Sequence, residues 1–287
     1  MRSDPNGIRF AKMSGGGNDF IALEDGGELT PENATALCAR GHSLGADGVF
    51  AIEQIGGTES ATVRMTYYNA DGTRASLCVN GTRCAALLAF DLGWARERVS
   101  IITDAGEIEA RRSGEFEVAL SLAPPPEPVV EATVNVQDIE IRGWFVDTGV
   151  PHFLLEWPES LVTAPVIELG SEIRHSDQFD DGANVDFLRI LGPDRLEVRT
   201  FERGVEGETL ACGTGVLAGA AVAVGMGRAE LPLRALTSGG FELAVDGTVR
   251  DDGSIAAWTL AGDARLIARG NLSAGALEIP EPPFWSP

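Results

Sequence analysis

Apolar and polar positions alternate over residues 61–69 (ATVRMTYYN) and 195–203 (RLEVRTFER), and both stretches are rich in β-branched and aromatic side chains. A period of two turns one face inward and the other to water, which predicts a strand in each place. Each strand leads to a Cys-x-x-Gly turn and then to an almost unbroken apolar run, residues 84–93 (CAALLAFDLG) in one case and 216–227 (VLAGAAVAVGMG) in the other. A helix apolar on every side belongs in the interior, and each run ends on a glycine suited to the left-handed position after a helix. Alternation returns over residues 99–110 (VSIITDAGEIEA) and 233–245 (LRALTSGGFELAV), predicting further short strands. Residues 32–41 (ENATALCARG) read as one more helix.

The recurrence is a duplication. Cys78 and Cys212 lie 134 residues apart (212 − 78), and the same offset pairs Gly15 with Gly149, Asp47 with Asp181, Gly48 with Gly182 and Thr66 with Thr200. Beyond the cysteines it pairs Gly81 with Gly215, Gly93 with Gly227, Thr103 with Thr237 and Gly106 with Gly240. Glycine, threonine and aspartate fix turns and close approaches, so a backbone path is what repeats. The proline-rich APPPEP at 123–128 falls between the copies as a linker. The expected architecture is α/β (α+β), with two pseudo-symmetric domains, each a mixed β-sheet or barrel around a central buried helix. The halves are expected at 1–123 and 124–267, with the tail 268–287 returning to the first half and the active site in the cleft between them.

Composition narrows the chemistry. With 43 acidic and 22 basic residues among 287, the formal net charge is −21, which makes nucleic acid and anionic membrane poor partners. The sequence has no run of about 18 apolar residues and no secretory signal at its start, so the expected place is the cytoplasm. The four cysteines Cys38, Cys78, Cys84 and Cys212 lack the dense spacing of a secreted disulfide framework. Lys12 is the one lysine and sits beside a glycine run, which argues against a pyridoxal phosphate aldimine; no cofactor and no metal are expected.

Inverting a carbon centre by proton transfer needs a base on one side of it and an acid on the other. Two thiols related by an internal repeat meet that demand, and a helix N-terminus favours a thiolate and offers N–H donors to a substrate carboxylate. Cys78 and Cys212 are therefore the candidate pair, while Cys84 and Cys38 read as core residues. A thiol redox protein would more often hold its cysteines as Cys-x-x-Cys, a cysteine hydrolase would need one thiol with a committed base such as His152, and a silent binding scaffold would have no use for both cysteines.

Six ordered blocks then carry a resemblance: KMSGGGNDFI (12–21), GADGV (45–49), YNADGTRASLCVNGTRCAA (68–86), TGVPHF (148–153), GANVDF (182–187) and FERGVEGETLACGTG (201–215). Together they resemble the diaminopimelate epimerases over nearly the whole chain. The resemblance implies conversion of LL-diaminopimelate to the meso form without metal or pyridoxal phosphate, toward lysine and peptidoglycan precursors, by a homodimer acting on a small amino acid. Carried over by position, it makes Cys78 and Cys212 catalytic. Asn18, Asn69, Asn184, Glu202 and Arg203 become substrate ligands, Asn80, Gly81, Gly213 and Thr214 become backbone donors, and His152 lies near the thiols. The sequence departs from the usual pattern at Ser14, Val79 and Val150, where the family commonly has His, Gly and Asn. The last removes an amide contact and leaves a racemase of another amino acid, such as histidine or a hydroxyproline-like substrate, as the alternative.

Overall fold

The computed structural model describes residues 7–24, 26, 29–56, 61–137 and 139–278. The chain divides into two compact units, Met1–Val118 with Ala264–Pro287, and Ala119–Asp263.

In the first unit β1 (Ile8–Gly15) and β2 (Asn18–Leu23) form a hairpin, followed by α1 (Pro31–Cys38), β3 (Gly48–Gly56), β4 (Ala61–Asn69), α2 (Val79–Asp91), β5 (Arg98–Thr103) and β6 (Gly106–Arg112). β7 (Glu117–Leu122) crosses the division. The second unit holds β8 (Val130–Val136), β9 (Ile139–Asp147), β10 (Pro151–Glu156), α3 (Val166–Arg174), β11 (Asn184–Gly192), β12 (Arg195–Glu202), β13 (Gly207–Thr209), α4 (Gly213–Gly225), β14 (Leu233–Thr237), β15 (Glu242–Val249) and β16 (Ile255–Asp263). β17 (Arg265–Leu272) then pairs antiparallel with β1. The expected return of 268–287 is described as far as Glu278; residues 279–287 lie outside the described residues.

Each unit repeats one pairing scheme. β1–β2 is antiparallel, β2–β3 parallel, β3–β4 antiparallel, β4–β5 parallel and β5–β6 antiparallel. The same series runs through β9–β10, β10–β11, β11–β12, β12–β14 and β14–β15. The parallel steps pass through helices, as parallel neighbours require a crossover.

The offset of 134 carries α2 onto α4 residue for residue, but it breaks earlier in the repeat. Phe20 faces Gly48, so an unbroken offset would set Leu154 opposite Gly182; Leu154 instead faces Asp186. The connection from β10 to α3 (157–165) is two residues longer than that from β2 to α1 (24–30), α3 is one residue longer than α1, and a shorter hairpin between β11 and β12 restores the offset. Gly182, at φ +70°, thus takes the place of Gly45, at φ +71°, each with an arginine packed where a side chain would go.

The helices are the hubs. Val79 through Phe90 of α2 are all buried, and α2 packs on every strand from β1 to β6 and on β17. α4 buries all but two of its residues and touches β9, β10, β11, β12, β14, β15 and β16. A fully buried Leu, Val or Phe contributes about 1.5–3 kcal/mol, so a sheet curled round an apolar rod is a stable way to enclose such a sequence. Both helices stop at the expected glycines, Gly93 (φ +75°) and Gly227 (φ +67°).

Candidate active site

Both Cys-x-x-Gly turns prove to be the first turn of a helix, with Cys78 and Cys212 as the capping residues in extended backbone. Cysteine is not a favoured cap, so the sulfur stands where a hydroxyl or carboxylate would ordinarily accept an N–H. The N–H groups of a first helical turn have no carbonyl four residues back and face an incoming group.

In the first unit Cys78 is half-buried, and the Gly81 N–H donates to its Sγ at 3.4 Å. Behind it runs a chain of amides whose directions are fixed. Arg83, which can only donate, gives Nη2–H to Asn80 Oδ1 at 2.6 Å; Asn80 Nδ2 donates to Asn18 Oδ1 at 2.8 Å; Asn18 Nδ2 donates to Asp47 Oδ2 at 3.2 Å. Asp47 and Asp19 each accept the other's backbone N–H, Arg40 bridges them, and Lys12 donates to Asp19 at 2.5 Å. Burial works to raise the Asp19 carboxyl, but hydrogen bonds from Arg40 and Lys12 bring it down to about 2. Asn69 donates instead to Thr73 Oγ1 at 3.1 Å. Burial pushes the Cys38 thiol up to about 11, as suits an inert core thiol, and Cys84 is fully buried.

In the second unit Cys212 is 7 % exposed, with Thr214 Oγ1 3.3 Å from its Sγ. Burial pushes its thiol well above the ordinary value, and the Glu202 and Asp186 carboxylates push the same way. Burial also raises the Glu202 carboxyl, which accepts from Thr209 Oγ1 at 2.9 Å and shares a hydrogen bond with Cys212. His152 is fully buried; its Nδ1 lies 2.6 Å from Asp186 Oδ2, and Asn184 Nδ2 lies 3.3 Å from its Nε2. The Arg203 N–H donates to Asn184 Oδ1 at 2.7 Å, while its guanidinium reaches the carbonyls of Asp181 and Gly182 at 3.4 Å. No carboxylate among the described residues pairs with Arg203, and Glu202 turns away from it to Thr209.

A profile of diaminopimelate epimerase matches residues 10–124 and 144–259. The chain belongs to that family. A diaminopimelate epimerase of Chlorobaculum tepidum is 40% identical over 226 residues, 75% of this chain and 83% of its own. That of Gemmatimonas aurantiaca is 34% identical over 284 residues, 93% of this chain and 99% of its own. Among solved structures, a hydroxyproline epimerase from Agrobacterium vitis shares the fold at a TM-score of 0.66 and 17% identity, with 97% of each chain covered. A probable proline racemase from Agrobacterium radiobacter does so at 0.66 and 16%, over 93% of each chain.

Within the units, the structure gathers Asn18, Cys78, Asn80 and Gly81 in one cluster and His152, Asn184, Glu202, Arg203, Cys212, Gly213 and Thr214 in the other. The sequence reading missed Asp186 and Thr200, which join the second cluster, and Asp47, which anchors the first. Thr200 was visible only as a repeat partner, Asp47 as a repeat partner and a letter inside GADGV, and Asp186 only as a letter inside GANVDF. No helix among the described residues is long and apolar enough to cross a membrane.

Proposed function

We propose that this epimerase interconverts LL- and meso-diaminopimelate, toward lysine and peptidoglycan precursors, with each half of the chain contributing one thiol. Family membership supports this reading, and the observation that carries it is the pair of cysteine caps at the same position of two buried helices of equal length, Val79–Asp91 and Gly213–Gly225. One sulfur takes the Cα proton as a thiolate, and the other delivers a proton from its S–H to the opposite face, so the two thiols exchange states in each turnover. Cys212, buried between carboxylates, rests as the thiol; Cys78, receiving an N–H from Gly81, is the base in that half-reaction.

Loss of the Cα proton moves charge into the substrate carboxylate. First-turn N–H groups at Asn80 and Gly81, and at Gly213 and Thr214, are suited to meet it, each such donor being worth roughly 3–4 kcal/mol in the transition state. Arg203, without a carboxylate partner among the described residues, offers a bidentate cation to the distal carboxylate, and Glu202, Asn18, Asn69 and Asn184 offer polar contacts to the amino-acid groups. No metal or pyridoxal phosphate enters this scheme. We place the enzyme in the cytoplasm, which would keep the unlinked thiols of Cys78 and Cys212 reduced, and as a homodimer, as the family resemblance implies. Light scattering at twice the chain mass checks the latter.

The decisive experiment follows deuterium uptake at Cα from D2O across a panel of amino acids. Exchange into LL- and meso-diaminopimelate is expected; exchange confined to histidine or a hydroxyproline would overturn the substrate assignment.

A further inference from the structure

Four hydrogen bonds in the second unit form a line whose direction can be read from one end. A backbone N–H can only donate, so the Asn184 atom 2.7 Å from Arg203 N is the amide oxygen. The Asn184 NH2 group therefore faces His152 Nε2 at 3.3 Å, and a donor there requires that nitrogen to carry a lone pair. The imidazole proton then resides on Nδ1 and is donated to Asp186 Oδ2 at 2.6 Å. The second carboxylate oxygen of Asp186 accepts Thr200 Oγ1–H at 2.6 Å. Every polar atom along this buried line is matched, which is the condition under which such a network fixes a single arrangement.

We propose that Asp186 is a positioning residue: it holds His152 in the tautomer protonated on Nδ1, and it seats the start of α4, which Cys212 caps. The second part rests on how closely α4 approaches. A Cβ on Gly215 would come 2.4 Å from Asp186 Oδ1 and 2.7 Å from Thr200 Oγ1, so the second residue after Asn184 and the third after Cys212 are in direct packing contact. Asp186 and His152 are both fully buried, so neither side chain has water as an alternative partner. A carboxylate on one ring nitrogen orients the imidazole and sets which nitrogen is left to accept from Asn184. Among the described residues the first unit shows no counterpart: its line ends on Asp47 after two asparagines and contains no ring that could hold a wrong tautomer. The catalytic consequence rests on the proposed thiol chemistry, whereas the tautomer does not.

The test is histidine-ring NMR on the whole enzyme labelled with 15N, where His42, His152 and His175 are the only signals to assign. In the wild type, His152 is expected as the single tautomer with a bare Nε2; an Nε2–H form or an imidazolium at neutral pH overturns the proposal whatever the variants do. Asp186→Asn keeps the shape and removes the charge, and its side chain can turn either its oxygen or its NH2 toward Nδ1, so the ring should become a tautomer mixture. Exchange of the Cα proton should then fall roughly 10- to 100-fold in kcat with KM changing less. Thr200→Val, which leaves the carboxylate in place, should keep the single tautomer and so separates positioning from mere packing if Asp186→Asn fails to fold. A folded Asp186→Asn enzyme with the wild-type tautomer and wild-type kcat would sink the assignment. Loss of diaminopimelate activity in the wild type with the tautomer intact would instead count against the substrate reading alone.

Discussion

The starts of α2 and α4 have the same length behind them, the same cysteine cap and the same glycine two residues inside, yet their surroundings share little. Cys78 is half-buried and backed by amides, while Cys212 is buried and backed by the Glu202 and Asp186 carboxylates. A duplicated backbone thus gives two cysteine caps equivalent places on their helices, and the side chains around them differ: burial and two carboxylates push the Cys212 thiol up, while Cys78 receives the Gly81 N–H. Inversion by proton transfer needs one group as acid and the other as base at any moment, a difference of protonation state that need not be built into the surroundings.

The largest test of the comparison is deletion of either sulfur. Cys78→Ala and Cys212→Ala should each reduce epimerisation by roughly 100- to 10,000-fold, measured as Cα deuterium exchange, and a variant retaining near-full activity would remove that thiol from the mechanism. Next comes the glycine that the two turns share. Gly215→Ala drives a methyl into Asp186 and Thr200, and urea unfolding should show a loss of about 2–3 kcal/mol. Gly81→Ala comes no closer than 3.3 Å to Met65 Cε and 3.4 Å to Cys78 Sγ, and alanine is the better helix former, so its stability should change by less than about 1 kcal/mol. Equal losses at the two glycines would mean that the turns are packed alike.

Alkylation with iodoacetamide sharpens the electrostatic half of the contrast. At neutral pH the half-buried Cys78 should be labelled before Cys212, and Cys212 should catch up as pH rises, because its thiol is held well above the ordinary range. Peptide mass spectrometry showing both modified at one rate near pH 7 would erase the distinction. The smallest effect concerns the salt-bridged end of the first cluster. Asp19 titrates lower in the folded chain, about 2 against an ordinary 3.8, so its contribution is present above pH 3.8 and disappears as pH falls toward 2. Asp19→Asn should remove that component, no more than about 1 kcal/mol after solvent screening, from acid-unfolding curves.

The strands at 61–69 and 195–203 and the two buried helices were legible because burial imposes a period on the residues that form them. The cysteines were legible because a repeat marks positions, and an offset of 134 needs no structure to be measured. Where the duplicated path had been edited, the same offset misled. It matched Gly182 to Gly48, whereas a longer connection before α3 makes Gly182 the counterpart of Gly45, and backbone conformation rather than letter identity reveals this. Glu202 and Arg203, carried over together as substrate ligands, point to different partners because successive residues at a strand end face opposite ways.

The sequence by itself determined the family, the doubling, the positions of both thiols and the helices they cap, since these follow from periodicity and from residue identities at measured spacings. Only the tertiary structure decided what surrounds each thiol. The carboxylates of Glu202 and Asp186, the ring of His152 and the hydroxyl of Thr200 come from three strands, β10, β11 and β12, and meet at the start of α4. Electrostatic influence and hydrogen bonding act over a few ångströms of space, and no pattern along the chain encodes which distant residues will share them.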